Sequence, residues 1–348
     1  NSTTGVVSVT GTLAVGTYNL TVRATDSVTA IGTKAITIVV NDTITVSGGS
    51  DITTTYGIAR SSSAFTSARG TTGRIFSITG NKDITGITIN PTTGIITVAA
   101  TTPVDTYTIT VIATDSVTAT GSTTMTVRVN DPLVILFGSN VTTTYGRADT
   151  STAFSNTGGT GPFTFSILPN VTGIAIGSSS GKVTVAKNTA PGTYVETVTV
   201  QDAVGATNST TMTIQVNESV TVTGGTNIVT TYGIAKQTDP FVGLLGTGSK
   251  TLSISSMPSG MTFDSTTGII YVSGTVAANT YYETVTATDS LGLTGSQTVT
   301  IRVNPTIVLS GDTFTVTTYT ITTQSSTHPF TGGTVVATGG ASNMVYSL

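Results

Sequence analysis

The stretch "NPTTGIITVAATTPVDTYTITVIATD" (90–115) holds two β-strand patterns separated by turn chemistry. In its second half, Tyr107, Ile109, Val111 and Ala113 share one parity, and Thr108 and Thr110 the other. Alternation with period two marks a strand with one buried and one solvated face. The next segment, "TTMTVRVND" (123–131), continues it, with Met125, Val127 and Val129 alternating with Thr124, Thr126 and Arg128. No stretch of ten residues keeps a helical period. Short strands fit near 43–47, 51–55, 63–67, 74–79, 86–89, 94–99, 106–113 and 122–129, the first two being halves of one split strand. About seven strands in under 90 residues predict an all-β fold, an antiparallel β-sandwich.

The same phrases recur at a fixed step. "NSTTGVVSV" begins at Asn1, "NPTTGIITV" at Asn90, "GSSSGKVTV" at Gly177 and "DSTTGIIYV" at Asp264. Their glycines, Gly5, Gly94, Gly181 and Gly268, are spaced by 89, 87 and 87 residues. A "TY" tyrosine falls at Tyr18, Tyr107, Tyr194 and Tyr281, and an aspartate eight residues later at Asp26, Asp115, Asp202 and Asp289. "TTY" ends at Tyr56, Tyr145, Tyr232 and Tyr319. Self-similarity at such a period is the mark of a tandem array.

The boundaries follow the last strand of each copy, at "VVND", "VRVNDP", "IQVNES" and "IRVNPT". They divide the chain into a second half of a repeat (1–42), complete repeats at 43–131, 132–218 and 219–305, and a first half (306–348). Short linkers predict an extended rod of stacked sandwiches. Each terminal half is too small to bury a core of its own and needs a complement. Setting Leu348 before Asn1 gives "VYSLNSTTGVV", which parallels "GITINPTTGII", and makes the last spacing 85. The seam is therefore expected to close with nothing missing, which favours a slice of a longer covalent array over copies completing one another head to tail. The second option makes an open-ended fibre.

The net charge is −3 with 8% charged residues, so neither a nucleic-acid footprint nor a polybasic membrane patch is present. The longest apolar run, "LVILF" (133–137), is far short of a membrane helix. No charged-then-apolar leader stands at Asn1, so any signal peptide is expected to have been removed or to lie outside this sequence. Absence of cysteine excludes disulfide staples and thiolate metal sites. About a third of the residues are Thr or Ser, which suits a secreted or surface-exposed structural protein.

"NSTTGVVSVTGTLAVGTYNLTVRATDS", "DSTTGIIYVSG" and "TYYETVTATDSLG" resemble the cadherin-like, immunoglobulin-like repeats of bacterial and archaeal surface proteins. The resemblance covers nearly the whole chain in four register-matched copies. It implies tandem immunoglobulin-like sandwiches of about 87 residues at a cell surface. In that fold a tyrosine opening the sixth strand bonds back to the chain at a corner, the role expected of Tyr18, Tyr107, Tyr194 and Tyr281. Likeness to true cadherins implies weak calcium sites at the junctions: Asn41 and Asp42 with Asp115, Asn130 and Asp131 with Asp202, and Asn217 and Glu218 with Asp289. The chain departs from that pattern, since no acidic triplet precedes the "TY" tyrosines and Asn304-Pro305 lacks an acid. At most two carboxylates meet per junction, whereas calcium takes six to eight oxygens. The residue-level alternative is an Asx turn, each aspartate accepting hydrogen bonds from its own turn.

Glu196 and Glu283 stand on the inward parity where Leu20 and Ile109 stand in other copies. An unpaired buried carboxylate is costly, so a bulge or a solvated strand edge is expected there. Seven Asn-x-Ser/Thr sequons, at Asn1, Asn19, Asn41, Asn140, Asn170, Asn208 and Asn217, are candidate glycan acceptors. One histidine, His328, and scattered acids give no repeated triad, multi-histidine metal site or phosphate loop, so no enzyme is expected. The expected function is an extracellular filament or stalk, with copies of itself as partners, head to tail and in lateral bundles. The alternative is the stalk of an adhesin whose binding tip lies outside this chain; a spacer of a secreted enzyme is a third.

Overall fold

The computed structural model describes residues 1–311, 335–338 and 340. The chain opens with the turn Asn1–Gly5. Asn1 Oδ1 accepts the amides of Thr3 and Thr4, as Asn90 Oδ1 accepts those of Thr92 and Thr93. This is the physical content of the repeated phrase: an Asx turn that finishes on a glycine with positive φ, 69° at Gly5 and 67° at Gly94. Strands β1 (Gly16–Thr25) and β2 (Ile31–Val40) then pair as an antiparallel hairpin.

The first complete repeat contains β3 (Thr45–Gly48), β4 (Ile52–Thr55), β5 (Arg60–Ser61), β6 (Phe65–Ala68), β7 (Ile75–Gly80), β8 (Ile87–Ile89), β9 (Ile96–Val98), β10 (Asp105–Thr114) and β11 (Thr120–Asn130). One sheet has the order β4-β11-β10-β7, and opposite lie the pair β3-β6 and the ribbon β5-β9-β8. The two halves of the split strand thus serve different sheets: β3 pairs with β6, and β4 runs parallel to β11 from Ile52↔Val127 to Thr55↔Asn130. That ladder is the one departure from the antiparallel expectation. The next two repeats rebuild the four-stranded sheet in the same order, from Val141–Thr144, Thr207–Asn217, Gly192–Gln201 and Thr164–Leu168, and from Ile228–Thr231, Thr294–Asn304, Asn279–Thr288 and Thr251–Ile254.

Each complete repeat has its own core. In the first, Ile109 and Val111 of β10, Val127 of β11 and Ile96 and Val98 of β9 are inaccessible to solvent. The period-two pattern explains this directly, because the apolar parity of both central strands faces the opposite sheet. The hairpin β1–β2 has the same register, with Tyr18 opposite Ile38 as Tyr107 is opposite Val127. Among the described residues nothing comparable covers it, and Leu20, the counterpart of Ile109, is 44% exposed.

Glu196 and Glu283 correct the expectation of a bulge or solvated edge. Each sits inside an unbroken ladder, Glu196 opposite Met212 and Glu283 opposite Val299. Glu196 is fully buried and neither carboxyl oxygen has a hydrogen-bond partner. Burial raises the pKa of both groups, because the ionised form would lose its hydration there.

The expected seam also needs correction. Strands Val308–Gly311 and Val335–Thr338 pair as β3 and β6 do, and Gly340 N donates to Pro305 O at 2.8 Å. Gly70, Gly159 and Gly246 make the same bond to Asp42, Asp131 and Glu218. From linker to glycine the complete repeats count 28 residues and the last copy 35, an insertion of seven. Five residues past the glycine, "VYSL" (345–348) aligns in sequence with "IFSI" (75–78), "TFSI" (164–167) and "TLSI" (251–254), not with 87–89. Joining Leu348 to Asn1 would omit the counterparts of 79–89, 168–176 or 255–263. An insertion and an omission nearly cancel, which produced the even spacing. Tyr319, His328 and Leu348 lie outside the described residues.

Candidate functional site

The recurrent aspartates sit in the turn between the two long strands of each repeat, at the end that meets the preceding repeat. Asp202 Oδ1 accepts the amides of Val204 (3.0 Å) and Ala206 (2.8 Å), closing an Asx turn. Its Oδ2 accepts the Thr160 amide at 2.9 Å and, from the preceding repeat, the Thr55 hydroxyl at 2.5 Å. Asn130, at the end of β11, donates its side-chain amide to Thr160 Oγ1 at 2.8 Å, and the Thr55 and Thr160 hydroxyls lie 2.9 Å apart. Ile58 packs against the core of the second repeat, so the polar cluster has an apolar flank.

The next junction repeats the set with new residues. Asp289 Oδ1 accepts from Leu291 and Leu293, both at 2.9 Å. Its Oδ2 accepts the Thr247 amide at 3.0 Å and the Thr144 hydroxyl at 2.7 Å, while Asn217 donates to Thr247 Oγ1 at 2.8 Å. Thr55 and Thr144 are wholly buried, and Asp202 and Asp289 nearly so. Burial pushes both carboxyls up, but the hydroxyl and three amide donors outweigh it and hold each pKa below the ordinary aspartate value. Each is an ionised carboxylate with all its acceptor directions used, the charge-assisted geometry that strengthens a hydrogen bond.

Asp115 has the Asx turn, from Val117 and Ala119, and the Thr71 amide on Oδ2 at 2.8 Å. Asn41 donates to Thr71 Oγ1 at 3.1 Å. No threonine hydroxyl from a preceding repeat reaches it among the described residues. Among the described residues Asp26 keeps only the Asx turn, from Val28 (2.9 Å) and Ala30 (2.8 Å), and it is exposed.

The linker acids do not join these carboxylates in a ligand set. Asp42 pairs with Arg69, while the backbone carbonyls of Asp131 and Glu218 accept the glycine amides described above. Among the described residues no group of three or more His, Asp or Glu side chains is placed to hold a metal. A cation at Asp202 or Asp289 would have to displace amide donors. The four tyrosines donate their hydroxyls four residues back: Tyr18 to Ala14, Tyr107 to Pro103, Tyr194 to Ala190 and Tyr281 to Ala277, at 2.7–2.9 Å. Of the sequons, Asn140 and Asn208 accept backbone amides, Asn217 and Asn41 serve the junctions, Asn19 accepts from Thr37, Asn1 caps its turn, and Asn170 is exposed.

The sequence reading missed Thr55 and Thr144. Their signal is the residue before each "TTY" tyrosine, hidden by threonines at 53–54 and 142–143.

Residues 216–304 match the family model He_PIG, described as "Putative Ig domain". That match covers the third complete repeat, and the other two complete repeats share its strand order, so the fold is a tandem of Ig-like β-sandwiches. Solved structures similar to it include the titin I-band fragment I67–I69 (9% identity, 74% of this chain and 96% of that one, TM-score 0.41). Mouse cadherin-23 EC22–24 matches at 15% identity over 76% of this chain and 99% of that one, with a TM-score of 0.31. The human desmocollin-1 ectodomain matches at 14% identity over 83% and 68%, with a TM-score of 0.31. No curated protein matches the chain. No helix of the described residues is long and apolar enough to cross a membrane.

Proposed function

We propose that this chain is a load-bearing segment of a repeat-built extracellular filament or stalk of a bacterium or archaeon. The array continues head to tail, either along one polypeptide or by completion of the split terminal repeat between copies. The observation that carries this reading is the junction. At both junctions between complete repeats a buried threonine hydroxyl of one repeat donates to a buried, ionised carboxylate of the next. A hydrogen bond to a charged acceptor contributes about 1.5–3 kcal/mol net, enough to hold one interdomain angle against thermal bending. The surrounding surface is neutral and rich in threonine, which removes charge repulsion between parallel fibres and permits lateral bundling.

The test is small-angle scattering of the full chain beside the Thr55→Val, Thr144→Val double variant. The wild type is expected to give a distance distribution of fixed maximum, and the variant a broader one with unchanged folded content. Independently tumbling repeats in the wild type would overturn the reading.

A further inference from the structure

The linker between the first and second complete repeats contains the bond Asp131–Pro132. At the other linkers the corresponding pairs are Asp42–Thr43, Glu218–Ser219 and Pro305–Thr306. Both Asp131 and Pro132 are exposed, while Leu133 is anchored in the second core. The carbonyl of Asp131 accepts the Gly159 amide at 2.9 Å. Gly158 and Gly159 have positive φ, 64° and 73°, and a Cβ on Gly158 would lie 2.1 Å from Pro132 O, so this loop lays bare backbone on the linker. Among the described residues nothing donates to the Asp131 carboxyl, whereas Asp42 is held by Arg69 and by the Thr43 amide.

These features bring a free carboxyl, a polarised carbonyl and a good leaving nitrogen together at one bond. A carboxyl oxygen of Asp131 can attack its own carbonyl carbon, because Oδ, Cγ, Cβ, Cα and C close a small unstrained ring. Such an attack gains from the high effective concentration of an intramolecular reactant. The Gly159 N–H meets the carbonyl oxygen on which negative charge develops, the placement of an oxyanion donor. The carboxyl proton passes to the Pro132 nitrogen, the C–N bond breaks, and residue 131 is left as a cyclic anhydride. Water then opens the anhydride to the α-carboxylic acid and restores the side chain. One peptide bond and one water have become one acid and one secondary amine. Proline favours the step because its nitrogen, doubly alkylated and without an amide hydrogen, takes the proton more readily than an ordinary peptide nitrogen. Two charged side chains stand near the linker's contacts. Arg128 donates to Asn130 Oδ1 at 2.8 Å, and the charge of Asp202 is spread over its four donors.

We infer that Asp131–Pro132 is a self-cleavage site whose hydrolysis the folded junction itself promotes. The cut leaves 43–131 and 132–218 whole, held together by the Thr55–Asp202 and Asn130–Thr160 bonds and by Ile58. Cleavage there requires no filament, only the junction. The chain carries its own control in Asp239–Pro240, inside the third repeat. That bond is exposed as well, but among the described residues no amide meets the Asp239 carbonyl; the Gly225 amide goes to Pro240 O instead.

The test follows the full chain in one mildly acidic buffer, native and in urea, with circular dichroism to monitor folding and mass spectrometry to locate the cuts. The 131/132 cut, with Pro132 as the new N-terminus, is expected about fivefold or more faster in the native chain than in urea, a fraction of what an enclosed oxyanion donor supplies. The 239/240 cut should show no native advantage. Asp131→Asn, a change at an exposed side chain, should leave the melting transitions in place and remove the native 131/132 cut. A 131/132 rate in the native chain equal to or below that in urea overturns the inference, and so does a cut that persists undiminished in Asp131→Asn.

Discussion

The first and second complete repeats share a strand order and a ladder register, yet they differ at the centre of the core and at the junction. Where the first repeat has Ile109, fully buried, the second has Glu196, equally buried and without a hydrogen-bond partner. Where Asp115 accepts three described hydrogen bonds, Asp202 accepts four, the fourth from the repeat before it. The second repeat therefore carries a weakness inside and a brace outside. One fold tolerates both because the central sheet keeps every backbone partner, so a single poor core side chain costs stability without changing topology.

The comparison can be broken most severely by moving the weakness. Ile109→Glu in the first repeat should cost ~3–5 kcal/mol, through loss of packing and burial of a carboxyl, and calorimetry should show that repeat melting ahead of its neighbours. The reverse change, Glu196→Ile, should stabilise the second repeat by ~2 kcal/mol at neutral pH. The same residue sets a pH dependence. Because burial raises the folded-state pKa of Glu196, the stability is fully present below the ordinary glutamate range and lost as pH rises through the folded value. Asp202, whose folded pKa is lowered, acts with the opposite sign: its contribution is present above the ordinary aspartate range and lost as pH falls through the folded value. Melting of the second repeat should therefore fall as pH rises above the ordinary glutamate range, and Glu196→Ile should abolish that slope.

Smaller effects sharpen the junction half of the comparison. Thr55→Val should lower the stability of the second repeat by ~1–2 kcal/mol, while Thr71→Val, whose hydroxyl meets Asn41 at the less complete junction, should cost less than half of that. Tyr194→Phe should cost ~1 kcal/mol, the ordinary value of one corner hydrogen bond. A chelator should leave all three melting transitions in place, since the oxygens a cation would need already accept amide protons.

Much of this was legible in the chain. Alternation in 106–113 and 122–129 gave the two long strands, and the phrase around Gly94 gave the repeat and its turn, because both depend on contacts within a few residues. Three features were not. The donors to Asp202 and Asp289 stand 147 and 145 residues away, and threonine is too common to mark a special one. Glu196 was read as solvated because its cost was clear in sequence and its continuous ladder was not. The seam looked complete because total length conceals an insertion in one loop and an omission in another, and only the Gly340–Pro305 bond fixes where each falls.

The parallel ladder has a mechanical meaning. In the first complete repeat, β4 lies near the point where the chain enters and β11 carries it out, and the two run side by side over four paired residues. Tension applied between the two ends of a repeat would slide β4 past β11 lengthwise, so the rungs of that ladder bear the load together and fail together. A hairpin pulled from its open end would instead lose its rungs one at a time. The placement of one short strand thus makes each repeat resist being drawn out far better than its modest core alone would suggest.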